Sequence, residues 1–198
     1  MKWHRDSRSY PHEILWRAAI TTLRTAKGEG EKVRPDHLGV LALLSGFLAF
    51  EGFVNLVGDE VASDVWREEK KFFSQGNYRG LNGKLEFLFS QFPGHRLVKG
   101  QNPFQTFQKV RVFRDSIAHA RVYKYTEITE SEQAGLEVPW RHFDSLEEVE
   151  RALGQLQLLA EELRVGALSI LKEEYRLSHL HYPAFQGPIQ TSTGEGVD

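Results

Sequence analysis

The chain has 198 residues, 40% of them hydrophobic and 12% aromatic, at a formal net charge of −2. That length suits one decorated domain and that composition fills a core, while the near-neutral charge excludes binding to nucleic acid or membranes by bulk electrostatics, so any basic surface has to be local. The absence of cysteine excludes disulfides and thiolate chemistry; together with a polar start that lacks a signal-peptide core, it points to a cytoplasmic location.

In chain order, Pro11 suits a first helical turn, and Ile14, Leu15, Ala18, Ala19, Thr22, Leu23 and Ala26 recur at helical spacing. Gly28 and Gly30 end that helix. Pro35 and Asp36 start a second, which the spacing carries to about Val57, before Gly58. Its segment Leu38–Phe50 has no charge until Glu51. A membrane span needs about 20 apolar residues, so a buried core helix is expected and no membrane partner. An amphipathic block follows, with Val61, Val65, Trp66 and Phe72 to bury. After the break SQGNYRGLNG comes a short helix around Lys84 to Phe92, then a loop, then a helix opened by Pro103.

Beyond Tyr123 the pattern changes. YKYTEITE and LEVPWRHF alternate loosely and suggest a small β-ribbon in an insertion at about 121–144. The clearest helix comes next. Ser145 and Glu148 form a capping-box pattern. Leu146, Val149, Leu153, Leu156, Ala160, Leu163, Ala167 and Ile170 make a seam for another helix, in the same chain or in a second copy. Residues 179–198, rich in Pro, Gly, Ser and Thr, read as a flexible tail. The expected architecture is all-α: a single domain over residues 1–178, built as a bundle of about five main helices with the insertion before the last long one.

The segment VFRDSIAHARVY, residues 112 to 123, carries the chemistry. Phe107, Val110, Arg114 and Ile117 share a helical face, so Arg114 sits in a row expected to be apolar. An unpaired guanidinium there would be very costly; it needs carboxylates, carbonyls or an anionic ligand. His119 lies five residues on, about 140° further round an ideal helix. The two converge only if the helix ends near His119 or if two copies meet. From Lys109 to Lys124 there are five basic residues, Lys109, Arg111, Arg114, Arg121 and Lys124, against one acid, Asp115. Such a stripe suits a phosphate backbone, with Phe107, Phe113, Tyr123 and Tyr125 as stacking groups. His179 and His181 lack partners at metal-ligand spacing, so no metal site is expected.

RDSIAH resembles the arginine–polar–three residues–histidine motif of the HEPN superfamily, whose members are all-helical bundles. Asp115 stands where asparagine is commonest, and Ala118 precedes the histidine as is frequent there. In the second helix, FEGFVN places Glu51 and Asn55 one turn apart with a texture similar to HEPN-like chains. The resemblance covers roughly residues 36–171. It implies a dimeric endoribonuclease, acting as a toxin with an antitoxin partner or as a defence protein, that cleaves RNA without metal or other cofactor through attack by the substrate's own 2′-hydroxyl. In that picture His119 is the general acid or base, Arg114 clamps the phosphate and Asp115 orients one of them. Glu51 or Asn55 supports Arg114, and Lys109, Arg111, Arg121 and Lys124 hold the RNA. The alternative is a non-catalytic HEPN-like module that binds RNA or protein. A plainer arrangement is also open, with Arg114 consumed by Glu51 and His119 closing a helix whose dipole suits its charge.

Overall fold

A computed structural model describes residues 10–28, 35–119, 141–171, 180 and 184–185. Among them are seven α-helices and no strand. They are α1 (Pro11–Gly28), α2 (Pro35–Val61), α3 (Ser63–Arg67), α4 (Glu69–Phe72), α5 (Gly80–Gln91), α6 (Phe104–Ala118) and α7 (Leu146–Leu168), with a 3₁₀ turn at Arg141–Phe143 before α7. The all-α bundle is therefore as expected. The ribbon expected at 121–144 lies outside the described residues apart from its last few.

Helix α2 is the axis of the bundle. It packs chiefly on α1 and α7, and also meets α3, α5 and α6. His37–Val61 is long and apolar enough to cross a membrane, and 50% of its most apolar window is buried in the bundle. Ala42, Leu43, Phe47, Ala49, Phe50, Phe53, Val54 and Val57 all enter the core. The helix runs four residues further than the sequence suggests, through Gly58. This glycine is a notch and not a stop: a Cβ there would lie 1.9 Å from the Trp66 ring. Trp66 of α3 fills the notch.

The amphipathic block after α2 is two short helices, not one. Glu68 breaks them at φ −103° and ψ 22°. Phe73, seven residues and so about two turns beyond Trp66, is buried with it, whereas Phe72, expected in the core, is 37% exposed. Beyond the turn, α5 starts earlier than its apolar pattern implies. It is tied to α6 by a reciprocal amide pair between Asn82 and Gln108, at 3.3 and 2.8 Å.

Helix α7 follows its sequence closely. Ser145 caps it, its hydroxyl accepting from the Glu148 N–H at 3.2 Å. The seam residues Val149, Leu153, Leu156, Ala160, Leu163 and Ala167 are buried, Leu146 is partly so, and Ile170 lies beyond the helix and is exposed. They face α2 and α6 of the same chain, so the seam is not left over for a second copy.

The region read as a flexible tail contributes to the core. Leu180, Ala184 and Phe185 are buried. Phe185 stacks on Trp16 of α1 with ring centroids 4.1 Å apart. Arg164 and Glu161 of α7 clamp this returning segment. Arg164 donates to the Leu180 carbonyl at 2.8 Å and to Glu161, and the Ala184 N–H donates to the Glu161 carboxylate at 3.3 Å. The bond from Arg164, outweighing partial burial and helped by the Ala184 amide, holds the Glu161 carboxyl below its ordinary range.

Two tests follow from this packing. Gly58→Ala should lower stability by about 1–3 kcal/mol through overpacking against Trp66. Gly154→Ala, with nothing within 4 Å of the added carbon, should raise it by up to ~1 kcal/mol through helix propensity; urea unfolding reads both. The depressed Glu161 group contributes stability that is present above its unfolded-state value and lost as pH falls through its folded value. Glu161→Gln should therefore be less stable than the parent near neutrality, and the gap should close under acid titration followed by circular dichroism.

Candidate functional site

The buried stripe of α6 is Phe104, Phe107, Val110, Phe113 and Ser116. Ser116 is accommodated because its hydroxyl donates back to the Phe113 carbonyl at 2.6 Å. The face is thus turned slightly from the one expected: Ile117 and Ala118 are exposed. Arg114 does not replace a core side chain. It lies at the edge of the stripe, its side chain 26% exposed.

Three groups position the guanidinium. One terminal nitrogen donates to Glu51 Oε2 at 2.6 Å, and the other donates to Asp115 Oδ1 at 2.9 Å. The plane lies over Phe47, 5.3 Å from the ring centroid. Phe47 and Glu51 are one turn apart on α2, so one helix face supplies both the aromatic floor and the acid. Adjacent helix residues do not normally face each other, and the length of the arginine is what lets Arg114 reach Asp115. Each terminal nitrogen has two N–H donors, so one on each remains for a further acceptor. Nε is buried without a hydrogen-bond partner. Phe47, Glu51 and Asp115 fix where the cation sits, while its two carboxylates offset its charge.

His119 caps α6. Its backbone N–H donates to the Asp115 carbonyl at 3.1 Å. Its side chain is exposed, and among the described residues it has no hydrogen bond or ion pair to Arg114 or any other group. The histidine and the arginine share one helix end without joining within the chain.

Asn55 does not take part. Its side-chain oxygen accepts from Lys84 of α5 at 2.7 Å. Lys84 also pairs with Glu69 of α4 and lies 5.9 Å from the centroids of Trp66 and Phe73. This second charged cluster, which sequence reasoning missed, ties α2, α4 and α5 together. Its signal was present: Lys84 falls among Leu81, Leu85 and Leu88 just as Arg114 falls among apolar residues. A lysine in such a row needs partners, and here it has them.

The basic stripe is only partly described. Lys109 is exposed, and Arg111 is half-buried with its Nε unpartnered. Arg121, Lys124, Tyr123 and Tyr125 lie outside the described residues, as do His179 and His181. Phe107 and Phe113 are fully buried. They are core residues and cannot stack on bases, contrary to the expectation from sequence. No group of three or more potential metal ligands occurs among the described residues.

Replacement of Arg114 by Met, of Glu51 by Gln and of both should show a coupling of about 1.5–3 kcal/mol in urea unfolding, the range of a charge-assisted hydrogen bond. The matching cycle with Asn55→Ala should show a coupling within about 0.5 kcal/mol of zero.

Comparison of the chain with protein-family models, with curated proteins and with solved structures finds no significant match.

Proposed function

We propose that this is a HEPN-like helical domain that cleaves RNA without a metal, by attack of the substrate's 2′-hydroxyl on the adjacent phosphodiester. The observation that supports the reading is the placement of Arg114. Its guanidinium is held over Phe47 by Glu51 and Asp115, with an N–H on each terminal nitrogen left over, and His119 stands exposed at the end of the same helix. The remaining donors would meet the non-bridging phosphate oxygens. His119 would take or return the proton of the 2′-hydroxyl or of the leaving oxygen. Asp115 thus orients Arg114 rather than His119. Lys109 and Arg111 on the same helix, with Arg121 and Lys124 beyond it, would follow the RNA backbone.

Because His119 and Arg114 do not meet within one chain, the reading calls for a homodimer in which the two motifs face each other. The α7 seam does not supply that contact. A role as a toxin with a protein antitoxin, or in defence, belongs to the same proposal.

One observation favours a second reading, a non-catalytic HEPN-like module. Two carboxylates around one guanidinium leave a locally negative sum, which opposes an approaching phosphate.

Incubation of purified protein with total RNA in excess EDTA separates the two. Catalysis predicts cleavage that persists in EDTA, leaves 2′,3′-cyclic phosphate ends, and falls by roughly 10²-fold or more in His119→Ala and in Arg114→Ala. RNA retention without cleavage, unchanged by His119→Ala, supports the module. Cleavage unaffected by either substitution overturns the site.

A further inference from the structure

A second site lies away from Arg114, between α7 and the loop that joins α5 to α6. There a cavity of ≈ 220 Å³ opens to the surface. Its floor is apolar: Phe89, Phe104 and Leu159 are all nearly or fully buried, and Leu97 packs against them. Its rim carries an acid and two basic residues from different elements. Glu162 stands on the α7 wall, and His95 and Arg96 stand on the loop wall.

The loop is held in place. Gly94 turns it at φ +75°, a value that favours glycine. The His95 N–H donates to the Phe92 carbonyl at 3.2 Å. Gln105 donates to the Gly100 carbonyl at 2.9 Å, Thr106 donates to Asn102 at 2.9 Å, and Lys99 pairs with Glu86 at 2.8 Å. A cavity shaped by such a loop is preformed, which lowers the ordering cost of binding. Glu162 and Arg96 have no hydrogen bond or ion pair among the described residues. Partial burial pushes the Glu162 carboxyl up, against the opposing pull of the nearby His95. By contrast, the neighbouring acid Glu161 is committed to Arg164.

We infer that this cavity binds a free α-amino acid with an apolar side chain, its ammonium group on Glu162 and its carboxylate on Arg96 and His95. The floor matches an aliphatic or aromatic side chain. The volume lies below the roughly 300–1,000 Å³ of sites for drug-sized ligands, and so suits a small molecule. The opposed charges select against a simple cation, which Arg96 would repel, and against a simple anion, which Glu162 would repel. The site shares no residue with the Arg114 cluster, and the inference does not depend on the function proposed above.

Isothermal titration of the full chain with L-leucine and L-phenylalanine tests it, beside the N-acetyl and the amide derivative of each. Saturable binding in the millimolar range or tighter is expected. Both derivatives should bind at least about tenfold more weakly, since each leaves one charged partner unmet. Glu162→Gln should lose the preference for a free ammonium, and Arg96→Gln the preference for a free carboxylate. Both residues are exposed, so these variants keep the fold. Absence of binding up to ~10 mM, in the weak range that millimolar affinities define, or equal binding of free and blocked forms, overturns the proposal. So does unchanged selectivity in both variants.

Discussion

A 27-residue helix whose segment Leu38–Phe50 carries no charge cannot stand bare in water, and the other described helices are arranged to cover α2. Helices α1 and α7 take most of its surface, α5 and α6 take much of the remainder, and Trp66 closes its far end against Gly58. Burial of this kind is worth about 25 cal/mol per Å² of apolar surface, and side chains such as Phe47, Phe50, Phe53 and Leu43 lose nearly all of theirs. What remains uncovered on α2 is a narrow strip that includes Leu41, Leu48 and Glu51. The only acid in the middle of the helix thus emerges where α6 passes.

That emergence explains the Arg114 cluster. Glu51 cannot be buried alone, and Arg114 cannot lie at the margin of the α6 stripe alone; each meets the other's requirement. Phe47, one turn earlier, gives the guanidinium an aromatic face to rest on. The same logic operates at Lys84, where Asn55, Glu69, Trp66 and Phe73 surround a single ammonium group. Among the described residues, Arg114 and Lys84 are thus cations at helix junctions that both an acid from another element and aromatic rings stabilise. They differ in access: the Lys84 side chain is 10% exposed, that of Arg114 is 26% exposed, and only Arg114 lies on the helix that His119 ends. Access, rather than charge, makes Arg114 the candidate for chemistry.

Much of the fold was legible because its strongest signals are local. The Ser145 cap, the three-and-four spacing of α7 and the uncharged run of α2 depend on neighbours in sequence, and all but Ile170 at the end of the seam appear where the pattern places them. The failures come from contacts distant in sequence. Gly58 looks like a helix stop until Trp66 is seen to need its space. Phe73 rather than Phe72 enters the core because it shares a face with Trp66, whose place is set by the space at Gly58. Phe185 looks like part of a polar tail because no pattern within that tail reveals Trp16. For the site, the need of Arg114 for a carboxylate was readable and Glu51 was among the candidates, but only packing chooses it over Asn55. The burial of Phe107 and Phe113 followed from the same apolar row that carries Arg114, and it removes them from any role in stacking.

The seating of Phe185 on Trp16 changes where the folding unit ends. A chain cut after residue 178 would keep all seven helices and still unroof the indole at the centre of α1, replacing an aromatic lid with solvent. The boundary of this domain lies beyond the last described helix, where Leu180, Ala184 and Phe185 join the core, and helix counting alone places it too early.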